Sequence, residues 1–372
     1  MLPLWPTWCN PKLTSYLETS NFEQVYSNYD LAHARDPWLG KLMVTMLRRS
    51  DSTAMWNRLL SSSVHFNNLV NLNRGWRPVD EKITQHMTNG RIIVNMSADP
   101  FNGYEKRVSD ILSQHTDQYL ILSGDVKYWQ HPESHICFMP FWYLHQRYTY
   151  NAVADITSDR KYALSSLNNQ SRYHRIENFI KLRKKRYFDQ LLFSMLYRYD
   201  AKLIRNQTPA EFYNRDIIVE FESIIPVEPL PFIGDGHAVN VPAYTDSYVN
   251  LVTETSIYDN TLFVSEKTWK PFMSGQFGIW LSNPGTVEFL RSIGLDVFDD
   301  ILNGHTYDSE LNLNQRIDNI HEIVDDLMTQ DLGTVFRSTL ARRQANIDRF
   351  YSAELEAVLT RQCQAYSAII NI

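Results

Sequence analysis

Glu254, Glu266 and Lys267 are the first residues of this chain whose types and spacing suggest chemistry. A carboxylate ends the apolar run "SYVNLVTET", and a carboxylate and a cation then stand together at the head of "SEKTWKPFMSG". Such a pair is either a solvated helix start or a grip on a substrate. A second group lies in "SLNNQSRYHRIENF", where Asn168, Asn169, Gln170 and Ser171 precede Arg172, His174 and Arg175. Cations where a helix begins oppose its macrodipole. An anion shared between guanidinium groups and free backbone N–H donors resolves that conflict. One arginine packed on an aromatic ring with the other exposed resolves it equally well. Asp99 and Asp125 also follow apolar runs, although Asp, Asn and Ser cap helices and build turns for purely structural reasons.

The elements that must position these groups read as alternating strands and helices. "RIIVNMSADP", "QYLILSGDV", "HICFMPFWY", "KYALSSLNNQ", "DIIVEFESI", "SYVNLVTET" and "FGIWLSNPG" are short apolar runs ending in polar or turn residues. Their length and their β-branched or aromatic content fit strands buried on both faces of parallel sheets. "YEKRVSDILSQH", "RIENFIKLRKKRYFDQLLFSMLYRY" and "TVEFLRSIG" carry helical spacing between them. Strand, helix and strand in succession argue for α/β layers, in which ligands bind beyond the carboxyl ends of the strands. Ser265 reads as an N-cap, Gly275 as a helix stop, and Trp269, Phe272 and Met273 as the inward stripe between them. Thr286 reads as the cap of the next helix. A polar stretch near residue 150 divides the chain into 1–150 and 151–372. Residues 1–85 read as helices and loops, and the stretch from about Asn314 to Ile372 as amphipathic helix.

Composition narrows the classes. A chain of 372 residues with 44% hydrophobic residues, 13 Gly and 15 Pro has the material for packed cores and is neither disordered nor repeat-built. Its net charge of -6 exerts no global pull on nucleic acid. The basic run "KLRKKR", Lys181 to Arg186, reads first as a solvated helix surface and second as a nucleic-acid contact. Cys9, Cys137 and Cys363 lack the spacing of a zinc site, which points to a reducing compartment. No signal peptide or membrane span is read, so a soluble, cytoplasmic protein is expected.

The segment "LVTETSIYDNTLFVSEKTWKPFMSGQFGIWLSNPG" resembles the donor-binding signature of the α-1,3-fucosyltransferase family and its viral and bacterial relatives. In that signature a strand ending Phe-Glu-Asn leads to Tyr-x-Thr-Glu-Lys, a helix and an apolar strand. Glu254 stands at the first glutamate, Phe263 at the aromatic position, and Glu266 and Lys267 at the Glu-Lys. Thr255 replaces Asn and Ser265 replaces Thr. "SSLNNQSRYHRIENF" resembles the Ser/Asn-rich loop before an arginine that holds donor phosphates, with Arg175 the first choice and Arg172 the alternate. "RIIVNMSADPFNGYEK" and "FMPFWY" resemble acceptor-domain segments, so the likeness spans roughly residues 90–305.

The resemblance implies a GT-B architecture, two Rossmann-like domains facing a cleft, to which the residues add a helical N-terminal extension and a long C-terminal helix. It implies an inverting, metal-independent glycosyltransferase, with no cofactor beyond a nucleotide-sugar donor, a GDP-sugar favoured. Lys267 and Arg175 would stabilise the departing diphosphate, with Asn168, Arg172 and Glu266 completing the donor site. Glu254 would orient the sugar or steady charge on its ring. An inverting transfer needs a base, for which Asp99 is the first choice and Glu105 and Asp125 are substitutes. The acceptor would be a glycan or a nucleic-acid base, DNA among them, and in a viral setting the compartment would be the host cytoplasm. The alternative from another class is a non-catalytic nucleic-acid or polyanion-binding protein using "KLRKKR" and "RYHR".

Overall fold

The computed structural model describes residues 63–65, 92–96, 104–113, 119–131, 133–168, 170–195, 200–224, 238–239, 241–255, 257 and 261–369. Most of the helical reading of residues 1–85 lies outside them, as do Asp99 and Asn169. The chain forms two compact units, Met1–Thr149 with Leu359–Ile372, and Tyr150–Val358. Each is α/β. Among the described residues no helix is long and apolar enough to cross a membrane.

In the first unit, β1 (Ser63–His65), β2 (Ile92–Met96), β3 (Tyr119–Ser123) and β4 (Ile136–Phe138) lie parallel in that order. The helical reading of "MWNRLLSSSVHFNNLVNL" is corrected at β1, where Val64 pairs with Val94. Pairing with β2 overrides the weak local periodicity there. α1 (Tyr104–Ser113) follows β2, α2 (Lys127–Gln130) is a single turn after β3, and α3 (Phe141–Thr149) follows β4. β3 is buried along its whole length, as strands covered on both faces are. Gln362, from the returning C-terminal segment, accepts from Phe138 N–H at 3.2 Å and donates to Trp129 O at 2.8 Å.

In the second unit, β5 (Tyr162–Asn168), β6 (Leu191–Met195), β7 (Ser247–Thr253) and β8 (Phe277–Leu281) form a parallel sheet in the order β6-β5-β7-β8. From β5 the chain crosses to one side for β6, then returns past β5 for β7. The strand order therefore reverses between β5 and β7. A crevice opens at such a switch point, at the carboxyl ends of the strands.

Helices α4 (Tyr173–Arg183), α5 (Ala201–Gln207), α6 (Arg215–Ile224) and α7 (Pro242–Thr245) lie between β5 and β7. The long helical reading from Arg175 is corrected here, because Leu191–Met195 leaves it as strand β6 beside β5. "DIIVEFESI", read as a strand, is helix α6. Asn214 Oδ1 accepts from Asp216 N–H at 2.9 Å at its start. Ile218 and Phe221, one helical turn apart, are its buried face. A short apolar run carries too little periodicity to separate the two states.

α8 (Glu266–Ser274) begins and ends as its sequence indicates. Ser265 Oγ accepts from Lys267 N–H, and Gly275 takes the left-handed conformation, φ 62°. Trp269, Phe272 and Met273 are buried. α9 (Thr286–Ser292) departs from the expectation: Gly285 is its N-cap, and Asp308 caps it from outside by accepting from Val287 and Glu288 N–H, both at 3.0 Å. α10 (Leu313–Leu327), α11 (Leu332–Ser338), α12 (Leu340–Phe350) and α13 (Ala353–Ile369) make the C-terminal part helical.

Candidate functional site

The carboxyl edge of the second sheet gathers Asn168, Arg172, Arg175, Glu254, Glu266 and Lys267 around the switch point. Asn168 ends β5, where its Oδ1 accepts from Thr253 Oγ1 at 2.5 Å and its Nδ2 donates to Ser166 at 3.3 Å. The side chain thus ties the ends of β5 and β7 together at the switch point.

Glu254 follows β7 and is 0% exposed. Its backbone carbonyl faces α4, accepting from Arg175 Nη2 at 3.1 Å and bonded to His174 Nε2 at 3.0 Å. Its carboxylate faces α8. Oε1 accepts from Ser265 N–H at 3.2 Å and from the Thr268 hydroxyl, and Oε2 accepts from Thr255 N–H at 3.2 Å. Both lobes of Glu254 are engaged in fixing the starts of two helices. Burial, with Arg175 and Arg172 nearby, holds the His174 imidazole well below its usual range, so it is neutral and donates through Nε2.

Arg175 is spent on carbonyls: besides Glu254 O it reaches Thr253 O at 3.0 Å and Gln170 O at 3.2 Å. It braces the loop against β7. Arg172 is the N-cap of α4 in an extended conformation and provides no side-chain cap. Its side chain, half-buried, reaches Gln170 Oε1 at 3.3 Å. Just before it, Ser171 is 5% exposed and its hydroxyl has no partner. Along this edge α8 is capped by Ser265 and α9 by Asp308, whereas the N-cap of α4 makes no side-chain cap. An uncapped helix N-terminus carries partial positive charge and oriented donors.

Lys267 and Glu266 pair with each other, Nζ to Oε1 at 2.6 Å, with Ser265 Oγ 3.4 Å from the same ammonium. Behind them sit residues that sequence reasoning missed. Lys270 is 0% exposed and lies 5.1 Å over the ring of buried Tyr244, whose hydroxyl is held un-ionised by burial and by Glu266. Arg316 of α10 is buried, donates to Ser282 O at the end of β8 and to Glu310 O at 2.8 Å, and is pushed down to about 10 by burial. Its field adds to those of Arg172 and Arg175 at His174. Neither residue stands next to a polar strand end in the sequence, which was the signal that found the others.

The remaining carboxylates belong to the first unit. Glu105 lies on α1, and Asp125 follows β3. Asp125 Oδ1 accepts from Lys127 N–H at 3.0 Å and its Oδ2 pairs with Lys127 Nζ at 3.0 Å, a turn cap and ion pair. The basic run is largely neutralised: Lys181 pairs with Glu177 and Asp318, Lys184 with Glu220, and Lys185 with Asp325. Its cations face acids of neighbouring helices, which weakens the field a polyanion would need.

No protein-family model matches the chain, and no curated protein does. Among solved structures, the chain is similar to the DNA-modifying enzyme β-glucosyltransferase crystallised in the presence and absence of uridine diphosphoglucose. Identity is 11%, coverage 80% of this chain and 79% of that one, and the TM-score 0.40. T4 phage BGT in complex with UDP and Mn2+ gives 10% identity, 80% and 79% coverage and a TM-score of 0.39. T4 phage BGT in complex with its UDP-glucose substrate gives 11%, 81% and 79%, and 0.38. Likeness at this level decides nothing about activity.

Proposed function

We propose that the protein is a glycosyltransferase whose second unit binds a nucleotide sugar at the β5/β7 switch point. The observation that carries this reading is the start of α4, which has no side-chain cap, with the partnerless Ser171 hydroxyl and Arg172 beside it, at the switch point of a parallel sheet, where ligands bind in such sheets. A diphosphate suits that place: the positive end of the helix dipole, the hydroxyl and a guanidinium act on it together. Lys267 is half-buried on the same sheet edge and supplies a second cation once a phosphate competes with Glu266. The residues that resemble a donor-binding signature are the ones this edge gathers.

Transfer needs the leaving diphosphate stabilised by fixed donors and cations. Arg172 and Lys267 are assigned that contact, and Arg175 the support of the loop that presents it. Glu254 is assigned a positioning role, because its carboxylate holds α8 rather than open space. Glu266 remains the proposed ligand for ribose or sugar hydroxyls, and Asp99 a proposed proton acceptor. A GT-B pairing of two such units, inversion at the sugar carbon and independence of metal belong to the same proposal. The acceptor is a glycan or a DNA base.

The test is incubation with a panel of nucleotide sugars, including UDP-glucose and GDP-sugars, with and without divalent metal, while released sugar and nucleotide are measured. Slow hydrolysis of one donor is the expected outcome. Absence of both hydrolysis and thermal stabilisation across the panel would falsify the reading.

A further inference from the structure

The amino edge of the second sheet carries a cleft that the donor edge does not use. Tyr162 opens β5 and Tyr248 lies at the start of β7, so both stand at the opposite ends of these strands from Asn168 and Thr253. The length of β5 sets the two edges about 20 Å apart. Around the tyrosines lies a cavity of about 640 Å³, the size of a small-molecule site. Asp189 and Gln190, just ahead of β6, line it together with Gln330 and Gly333 around the start of α11.

The side chains of this cleft select among ligands. Its cations are engaged: Arg337 Nη1 donates to Asp159 Oδ1 at 2.6 Å and Nη2 to Thr334 Oγ1 at 3.2 Å, while Lys161 Nζ lies 4.7 Å over the Tyr162 ring. Three carboxylates, Asp159, Asp189 and Asp331, outnumber these two cations, so the cleft does not draw an anion. Asp331 is engaged in turn, accepting from Thr334 N–H at 3.1 Å and from its hydroxyl at 2.6 Å. The Asp189 carboxylate, the Gln190 and Gln330 amides and the Tyr248 hydroxyl make no hydrogen bond to another described residue. What remains for a ligand is an acceptor, two amides that donate and accept, and a hydroxyl, beside two half-buried rings. Gly333 keeps the floor open. A Cβ there would lie 3.3 Å from the Tyr248 hydroxyl and from Arg337 Nη1, and 3.4 Å from Asp331 Oδ1. Glycine weakens a helix and serves where other groups approach the backbone closely. Tyr248 packs edge-on against Phe336, with 5.1 Å between ring centres, so its ring is a fixed wall.

We infer that this cleft is a second binding site, for a neutral saccharide. Sugar hydroxyls both donate and accept, which matches Asp189, Gln190 and Gln330. The C–H face of a pyranose packs on tyrosine rings whose polar ends stay wet. The site is separate from the donor edge and stands whether or not that edge binds a nucleotide sugar.

Calorimetric titration of the full chain with maltotriose, chitotriose, mannotriose and galactotriose tests this, with glucose 6-phosphate and UDP run alongside. One neutral trisaccharide should bind. Asp189→Asn and Gln330→Ala, both at exposed positions, should each weaken it about five- to tenfold, the loss of one hydrogen bond. Gly333→Ala should weaken it as much with no loss of stability in urea, a split that a structural role for the glycine would not produce. Nucleotide binding should be the same in all three variants as in the wild type. No binding of any trisaccharide at about 10 mM overturns the inference. So does saccharide binding that all three variants keep, or glucose 6-phosphate binding in preference to the neutral sugars. A trisaccharide that binds where no nucleotide does supports this site and overturns only the glycosyltransferase reading.

Discussion

Glu254 allows the sharpest separation between a residue that touches substrate and one that builds the site. Replacing it with alanine removes the acceptor for Ser265 N–H, Thr255 N–H and the Thr268 hydroxyl, at a position that is 0% exposed. A hydrogen bond to a charged acceptor contributes about 1.5–3 kcal/mol, and a buried donor left without one adds its own cost. Water entering the vacated space offsets part of this, leaving a net loss of roughly 3–5 kcal/mol. Glu254→Gln keeps one acceptor oxygen but sets an amide donor against donors, for about 1–2 kcal/mol. Urea unfolding reads both values from the midpoint at constant slope. If Glu254 served only to contact sugar, the alanine variant would be inactive and fully stable. A loss below about 1 kcal/mol would refute the bracing role, since even one such bond exceeds it.

Other positions give independent checks. Arg343→Met should cost about 2–4 kcal/mol in urea unfolding, because the buried guanidinium donates to Ile156 O at 2.7 Å and Phe336 O at 2.8 Å and lies 3.4 Å from the Phe336 ring centre. Gly275→Ala should cost about 1–2 kcal/mol by the same measurement: its φ is +62° and an added Cβ would lie 3.0 Å from Ile156 Cγ2. Stability should also fall with acid. Burial, the first cause in each case, holds His305 and His321 down at about 4 against an ordinary 6.5. Below pH 6.5 the unfolded chain therefore binds protons that the folded one refuses. Stability is fully present above that pH and is lost as pH falls toward 4, by about 2 kcal/mol for each histidine at pH 5. Unfolding midpoints that do not change between pH 7 and about pH 5 would contradict this.

Much of the carboxyl edge was legible because buried strands are short apolar runs and their polar ends stand out. Ser265 and Gly275 mark the limits of α8 by chemistry that acts locally, a side-chain oxygen on a free N–H and a residue tolerant of positive φ. β6 and α6 were not legible. Leu191–Met195 follows a helix in an apolar stretch, and only its pairing with β5 makes it a strand. α6 is rich in β-branched residues, and its buried Ile218 and Phe221 reveal a helix only when set against α4, where Phe221 packs on Phe179. The site shows the same division. Residue types showed where charge gathers, whereas the partners that settle each role lie far away in the chain. Arg175 is occupied by carbonyls of residues 253 and 254, and α9 is capped from Asp308 rather than by Thr286. No local pattern carries such contacts.

The central claim is that the start of α4 receives the diphosphate of a nucleotide. Calorimetric titration of UDP and GDP into the wild type, Ser171→Ala and Arg172→Ala proteins tests it most directly. One nucleotide should bind the wild type, and each variant should bind it at least about tenfold more weakly, the loss of one charge-assisted contact, with unchanged stability in urea. Nucleotide binding of equal strength in all the proteins, or none in the wild type, would contradict the account.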